Sequence, residues 1–226
     1  MRWTSLALAA LVIAAGQLAA QQAPPARFVV LLDAAHGGDD PGGRIEDRTG
    51  REQPEKTFTL ALGVRLRSLL AARGIQTVAT RESDTAVDPN RRAEIANHAN
   101  AAACLSLHAS QSGSGVHLFA SSLAPAQPAR FAPWKTAQAA WVERSLALAG
   151  VLNSALLHAG ITVSLGRTAL PVVDSMTCPA VAVEIAPERG PGKAVNSGLD
   201  DPAYQARVAE ALAAALLEWR TETGQP

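Results

Sequence analysis

The residues that indicate the fold most directly are Phe28-Val29-Val30-Leu31-Leu32-Asp33-Ala34-Ala35-His36-Gly37-Gly38. A continuous apolar run that stops at an acid and a glycine pair predicts a strand buried on both faces, which is typical of parallel sheets. The run places Asp33 and His36 at or just beyond the carboxyl end of this strand. In open α/β sheets, ligands bind in the crevice outside such strand ends.

The remainder of the chain alternates extended and helical patterns. Leu62, Leu66 and Leu70 recur at helical spacing within a predicted helix over about residues 54–73, and Gly74 suits its C-terminal stop. Further strands are predicted over residues 75–80, 102–107, 115–120, 170–173 and 180–183, and further helices over residues 90–100, 135–158 and 201–218, the last with Asp201 as N-cap. This alternation predicts an α/β fold, a single domain with a mostly parallel central sheet and helices packed around it.

Composition narrows the class of protein. Hydrophobic residues make up 48% of the 226 residues, enough apolar surface to exclude a disordered or collagen-like chain. The 20 basic and 20 acidic side chains balance. A general nucleic-acid binder needs a basic excess, so we expect no nucleic-acid partner.

The N-terminus has the pattern of a targeting segment. Arg2 precedes an apolar run over residues 6–15, and small residues follow up to Ala20. This predicts a secretory signal peptide over residues 1–20, a linker over 21–26 and a catalytic domain over 27–226. The alternative is an uncleaved anchor, but the run before Gln17 is short for a membrane span. We therefore expect an exported product with no stable membrane anchor after cleavage.

The two cysteines, Cys104 and Cys178, each lie in or beside an apolar run. Two are too few for a disulfide framework or a cysteine-based zinc site. We predict two buried free thiols that act as small hydrophobic side chains, although an exported compartment would permit one bridge between them.

Three residues able to bind metal or transfer protons share one structural position. His36, His108 and Glu184 each lie at, or within a few residues of, the carboxyl end of a predicted strand. A single such histidine is usually an ordinary loop-edge residue, but three from three strands are expected to converge. Neutral imidazoles suit zinc, and a catalytic zinc needs three protein ligands. The third ligand is Glu52 or Glu55, which the spacing alone leaves unresolved.

A set of motifs in this chain resembles the zinc-dependent N-acetylmuramoyl-L-alanine amidases of bacterial cell walls, the family typified by the division amidases. The resemblance covers nearly the whole chain after the predicted signal peptide, and it implies a single α/β domain. The similar segments are residues 30–42, 55–56, 80–84, Arg92 with residues 95–97, 106–109, 115–116 and 179–184.

The resemblance also implies a role for each site residue. His36, Glu55 and His108 are expected to hold Zn²⁺, which selects Glu55 over Glu52. Glu184 is expected to be the catalytic carboxylate, which takes the proton of the attacking water and returns it to the leaving amine. The implied substrate is peptidoglycan, cut between N-acetylmuramic acid and L-alanine of the stem peptide. The implied location is periplasmic or secreted, in the bacterial cell envelope.

Some positions depart from the family pattern. Ala34-Ala35 replaces Pro-Gly before the first histidine, Ser110 replaces an asparagine, His117 replaces an acid, and Ile185-Ala186-Pro187-Glu188 replaces the usual segment after the catalytic glutamate. None of these changes removes a ligand, so we predict an active, divergent member. The alternatives are another zinc exopeptidase or amidohydrolase of the cell wall, and an inactive wall-binding regulator.

Regulation can also be predicted from the chain between the fourth strand and Glu184. Some family members carry an inserted helix that covers the zinc until a partner removes it. Here that interval holds a proline-containing loop, one long helix and a short strand, which leaves little room for a blocking helix. We expect no activator protein to be required.

Other polar residues have predicted supporting roles. Asp33 either accepts a hydrogen bond from a ligating histidine, as outer carboxylates do, or caps the loop by accepting backbone N–H groups. Arg81 and Arg92 are predicted to be structural ion-pair or loop-anchoring residues. His98 and His158, both on helices, are predicted to face solvent.

Overall fold

A six-stranded sheet forms the centre of the computed structural model, which describes residues 27–47, 49–129, 133–190, 192 and 194–224. The predicted signal peptide (1–20) and linker (21–26) lie outside the described residues. Among the helices that are described, none is both long enough and apolar enough to cross a bilayer.

The strands, in chain order, are β1 Val29–Ala34, β2 Arg44–Glu46, β3 Glu52–Pro54, β4 Gln76–Ala79, β5 Ala103–Ala109, β6 Val116–Ser121, β7 Val163–Thr168, β8 Ala180–Ile185, β9 Glu188–Arg189 and β10 Val195–Ser197. The central sheet has the order β4-β1-β5-β8-β6-β7. Strands β4, β1, β5 and β8 are parallel, whereas β6 runs antiparallel to β8 and parallel to β7. The predicted α/β class with a mostly parallel sheet is confirmed.

Helices cover both faces of this sheet. They are α1 Glu55–Ala72, α2 Pro89–His98, α3 Val142–His158, α4 Pro171–Asp174 and α5 Pro202–Glu222. The larger core joins one sheet face to α1, α3 and α5, and the smaller core joins the other face to α2 and α4. Alternate residues of β1 show the two-sided burial, since Val30 and Leu32 enter the larger core and Leu31 enters the smaller one.

Helix boundaries follow local chemistry. Leu62, Leu66 and Leu70 are buried on one face of α1, as the spacing predicted. The side chain of Asp201 accepts a hydrogen bond from the Ala203 backbone N–H, which confirms it as the N-cap of α5.

Two predicted elements were wrong. Residues 170–173 do not form a strand: Pro171 starts the short helix α4, because proline fits the first helical position but gives no N–H to a sheet. In the central sheet, the strand without a prediction is β7, an edge strand whose side chains are mostly exposed and therefore lack a buried apolar run. The short strands β2, β3, β9 and β10, which form two small hairpins outside that sheet, were not predicted either. The helix predicted over 135–158 is two elements, a 3₁₀ helix at Trp134–Ala140 and then α3.

The prediction of free thiols was also wrong, because Cys104 and Cys178 form a disulfide with a Cα–Cα distance of 6.3 Å. Strands β5 and β8 are neighbours, with Cys104 in register with Ala180, and the Cys104 backbone N–H donates to the Pro179 carbonyl. This pairing brings Cys178, just before β8, beside Cys104. The sequence does not reveal which strands are neighbours, so it could not show this proximity.

Candidate active site

The carboxyl ends of β1, β5 and β8 lie side by side, and they carry the predicted site residues. His36 follows β1 by two residues, and His108 and Glu184 are each the last residue but one of their strands. His108 is in register with Glu184 across the β5–β8 pair. Directly opposed side chains point to the same sheet face, so these two side chains lie on one face of the sheet at its carboxyl edge.

The turn after β1 shapes the position of His36. Its φ of 63° is left-handed, which is rare for a residue with a side chain and in proteins generally clusters at functional sites. Gly42, with a φ of 67°, lies so close that an added Cβ would be 2.6 Å from His36 Cδ2 and 2.7 Å from Glu55 Oε2. Only glycine therefore lets the backbone pass behind these two side chains.

Glu55 is buried at the first position of α1, and four groups surround its carboxylate. The backbone N–H groups of Gly43 and Ala109 donate to its two oxygens at 2.9 and 3.1 Å. His36 Nε2 lies 3.1 Å from Oε2, and His108 Nδ1 lies 3.1 Å from Oε1. Burial alone raises the pKa of Glu55, but hydrogen bonds from both histidines and both backbone groups outweigh it and hold the pKa far below its ordinary value.

This arrangement has the chemistry of a metal site. Ligand atoms of His36, Glu55 and His108 all lie within 4.8 Å of one another, and the two imidazole rings meet edge to face at 5.6 Å. Two histidines and a glutamate form a donor set used by catalytic zinc, with a fourth position for water or substrate. The histidine side chains stay 24% and 34% exposed, so the cluster is reachable from solvent. The residues present therefore fit a metal ion.

Glu52, the alternative third ligand, lies elsewhere. It belongs to β3 of a small antiparallel hairpin and forms an exposed ion pair with Arg44 at 2.5 Å. The structure thus brings Glu55, and not Glu52, to the two histidines.

Each histidine has a second partner on its outer nitrogen. His36 Nδ1 lies 2.8 Å from Asp40 Oδ2. The hydrogen bonds that His36 makes to Glu55 and to Asp40 raise its pKa above the ordinary value, although burial acts in the opposite direction. His108 Nε2 lies 3.4 Å from Ser106 Oγ. Sequence reasoning missed Asp40 and Ser106. The signals available were a carboxylate four residues after His36 in the glycine-rich turn, and a hydroxyl two residues before His108 on the same strand face.

Asp33 fits neither of its two predicted roles. Its carboxylate accepts hydrogen bonds from the Thr80 and Ser106 hydroxyls at 2.8 Å and from Arg92 Nη1 at 2.7 Å. It therefore contacts side chains rather than loop backbone N–H groups, and it reaches His108 only through Ser106.

The two arginines are structural, as predicted. Arg92 forms a buried ion pair with Asp33 and donates to the Ala34 and His36 carbonyls at 2.7 and 2.6 Å. Arg81 donates to the carbonyls of Ala34 and Ala35 at 2.9 and 3.0 Å. Burial and the nearby Arg92 charge lower the pKa of Arg81 from its ordinary value. Both side chains fix the backbone on which His36 is carried.

The remaining histidines lie outside the ligand cluster. His117 on β6 is in register with Glu184, and its Nδ1 lies 2.5 Å from Ser164 Oγ on β7. His98 and His158 are exposed on α2 and α3, which confirms the prediction that they face solvent.

Comparison with known proteins identifies this architecture. Residues 30–218 match the N-acetylmuramoyl-L-alanine amidase family (Amidase_3). A germination-specific N-acetylmuramoyl-L-alanine amidase of Bacillus subtilis (strain 168) is 28% identical over 217 residues, which cover 88% of this chain and 82% of that protein. A sporulation-specific N-acetylmuramoyl-L-alanine amidase of the same organism is 36% identical over 86 residues. That match covers 37% of this chain and 32% of the relative's length.

A solved structure agrees. The catalytic domain of an N-acetylmuramoyl-L-alanine amidase from Bacillus (Paenibacillus) polymyxa var. colistinus superimposes with a TM-score of 0.64 at 26% identity, covering 86% of this chain and 98% of that one. The family match spans most of the chain and confirms the resemblance seen in the motifs. The chain therefore belongs to the N-acetylmuramoyl-L-alanine amidase family, a family of amide hydrolases.

Proposed function

We propose that this chain is a zinc-dependent hydrolase that cuts the amide between N-acetylmuramic acid and L-alanine of the peptidoglycan stem peptide. Family membership supports the reaction, and one observation of the site carries the proposal. The ligand atoms of His36, Glu55 and His108 converge within 4.8 Å at the carboxyl edge of the sheet, where α/β enzymes bind their substrates.

The metal ligands in this proposal are Nε2 of His36, Nδ1 of His108 and a carboxylate oxygen of Glu55, the atoms that face one another. A zinc ion bound there would supply a Lewis acid for the scissile amide and for the attacking water. The backbone N–H groups of Gly43 and Ala109 orient the Glu55 carboxylate, and Asp40 orients the His36 ring from its far side.

Glu184 is the general base and then the general acid. It takes a proton from the attacking water and returns it to the amine of L-alanine as the amide bond breaks. Support comes from its place: it is half-buried, in register with His108 on the neighbouring strand, and paired strands lie about 4.8 Å apart. Glu184 thus lies beside His108 in the sheet, and it is not one of the three residues whose ligand atoms converge.

The setting of the reaction is part of the proposal. We propose that residues 1–20 are a cleaved signal peptide, that 21–26 are a linker and that the catalytic domain over 27–226 acts in the periplasm or after secretion. Peptidoglycan is the partner, no nucleic acid is bound, and no activator protein is needed. The apolar N-terminal run and the balanced charge support this assignment.

The test is mass analysis of the products from purified peptidoglycan, with the Glu184→Gln variant as a matched control. Free stem peptides that begin with L-alanine support the proposed amidase. Shortened stems would support the alternative, another zinc exopeptidase or amidohydrolase of the wall. Binding to peptidoglycan by zinc-loaded protein with no product at all would support an inactive wall-binding regulator.

A further inference from the structure

Strand pairing places a buried acid and a hydroxyl directly behind one of the proposed metal ligands. Asp33 on β1 is in register with Ser106 on β5, and the two side chains are only 1% and 3% exposed. Ser106 Oγ lies 2.8 Å from Asp33 Oδ2. Ser106 also precedes His108 by two residues, so both side chains lie on the same face of β5, with Ser106 Oγ 3.4 Å from His108 Nε2.

The single proton of the Ser106 hydroxyl fixes the direction of this chain of contacts. A carboxylate can only accept, so the Ser106 O–H donates to Asp33. The Ser106 oxygen then presents lone pairs to His108, and the 3.4 Å contact is a hydrogen bond only if His108 Nε2 carries a hydrogen. Without a metal, Nδ1 donates to the Glu55 carboxylate at 3.1 Å. A metal bound at Nδ1 would take the place of that hydrogen, and the imidazole would then carry its hydrogen on Nε2, toward Ser106.

Asp33 is held as a fixed acceptor by further groups. Arg92 Nη1 forms a buried ion pair with Asp33 Oδ1 at 2.7 Å, and Thr80 Oγ1 donates to the same oxygen at 2.8 Å. These partners occupy Oδ1, whereas Oδ2 accepts from Ser106. The two oxygens of Asp33 therefore have different partners. Oδ1 forms the structural ion pair with Arg92, and Oδ2 accepts the hydrogen bond of the Ser106 hydroxyl, which contacts His108.

We propose that Ser106 and Asp33 are positioning residues that hold His108 in the tautomer whose Nδ1 can bind the metal. His36 has a carboxylate, Asp40, directly on its outer nitrogen, whereas His108 reaches its carboxylate through a serine hydroxyl. This inference rests on the proposed function, because it needs His108 to be a ligand. Outer partners of metal-binding histidines typically change metal affinity by about 10–100-fold when removed.

The chain offers a matched pair of variants for the test. Ser106→Ala removes the hydroxyl that donates to Asp33 Oδ2 and also faces His108. Thr80→Val removes a hydroxyl that donates to Asp33 Oδ1 but does not face His108. Zinc dissociation constants are measured by competition with a chromogenic chelator, and thermal melts check that both variants fold. We expect Ser106→Ala to bind zinc about 10–100-fold more weakly and Thr80→Val to bind it like the wild type.

A spectroscopic readout separates positioning from a general structural effect. In zinc-loaded wild-type protein, the His108 Nε2–H should give a nitrogen-15 correlated signal that exchanges slowly with water, and Ser106→Ala should lose that protection. Unchanged zinc affinity in Ser106→Ala, or an equal loss in Thr80→Val, would overturn the inference and leave the proposed function standing. Wild-type protein that binds no zinc would overturn both.

Discussion

Replacing Cys104 and Cys178 together by alanine tests how far the bridge between β5 and the residue before β8 stabilises the fold. The bridge closes a segment with a sequence separation of 74 residues. The entropy that such a closure removes from the unfolded chain corresponds to about 4.4 kcal/mol of stability at 25 °C. Measured disulfides commonly contribute about 2–4 kcal/mol. We therefore expect the double variant to lose about 3–4 kcal/mol of unfolding free energy.

Zinc binding and catalysis should be unaffected by the loss of the disulfide. Cys104 precedes His108 by four residues of β5, which is about 13 Å along a strand. The bridge packs in the smaller core with α2 and α4, whereas the ligand cluster lies at the carboxyl edge of the sheet. The folded double variant should bind one zinc and cleave peptidoglycan at the wild-type rate at low temperature.

The assay is urea unfolding followed by circular dichroism, with thiol titration of unfolded wild-type protein to verify the bond. Each single variant, Cys104→Ala or Cys178→Ala, is a control, because either one removes the whole bridge and should lose about as much stability as the double variant. A loss below about 1 kcal/mol in all three would refute the closure argument. Loss of zinc from folded protein would refute the separation of bridge and site.

Four shorter predictions address the site. Glu55→Ala should lose zinc in elemental analysis while Glu52→Ala keeps it, and stoichiometric zinc in the Glu55 variant would reject that ligand. Glu184→Gln should bind zinc normally and cleave peptidoglycan about 10²–10⁴-fold more slowly, since it lacks the general base; a wild-type rate would rule out that role. Gly42→Ala should weaken zinc binding, measured by chelator competition, because its Cβ would displace His36 and the Glu55 carboxylate. Purified zinc-loaded protein should turn over without an activator, and activity that appears only after a partner is added would contradict this.

The strands that carry the site were predictable because their signal is local. A buried parallel strand needs apolar residues on both faces, so β1, β5 and β8 stand out as short apolar runs, and the polar residue that ends each run marks the ligand-binding edge. Residues such as His36 and His108 could therefore be selected without any knowledge of the strand order. Edge strand β7 carries no such signal, because solvent contact permits polar residues throughout it.

The contacts that depend on strand order and register could not be predicted. The disulfide requires that β5 and β8 be neighbours, and the Asp33–Ser106 contact requires that β1 be the neighbour of β5 in one particular register. A shift of one residue would turn Ser106 to the opposite face and remove its contact with both Asp33 and His108. Sequence spacing within one strand is informative about faces, but pairing between strands is set by the packing of the whole sheet.

The choice between Glu52 and Glu55 shows the same limit at shorter range. The two residues are three positions apart in the sequence, yet Glu52 lies in an exposed hairpin and Glu55 is the first residue of α1. What separates them is the backbone: the Glu55 N–H donates to the Gly43 carbonyl at 2.8 Å, and the Gly43 N–H donates back to the Glu55 carboxylate at 2.9 Å. This reciprocal pair ties the start of α1 to the turn that carries His36. Backbone groups, more than side-chain spacing, therefore aim the Glu55 carboxylate at the two histidines.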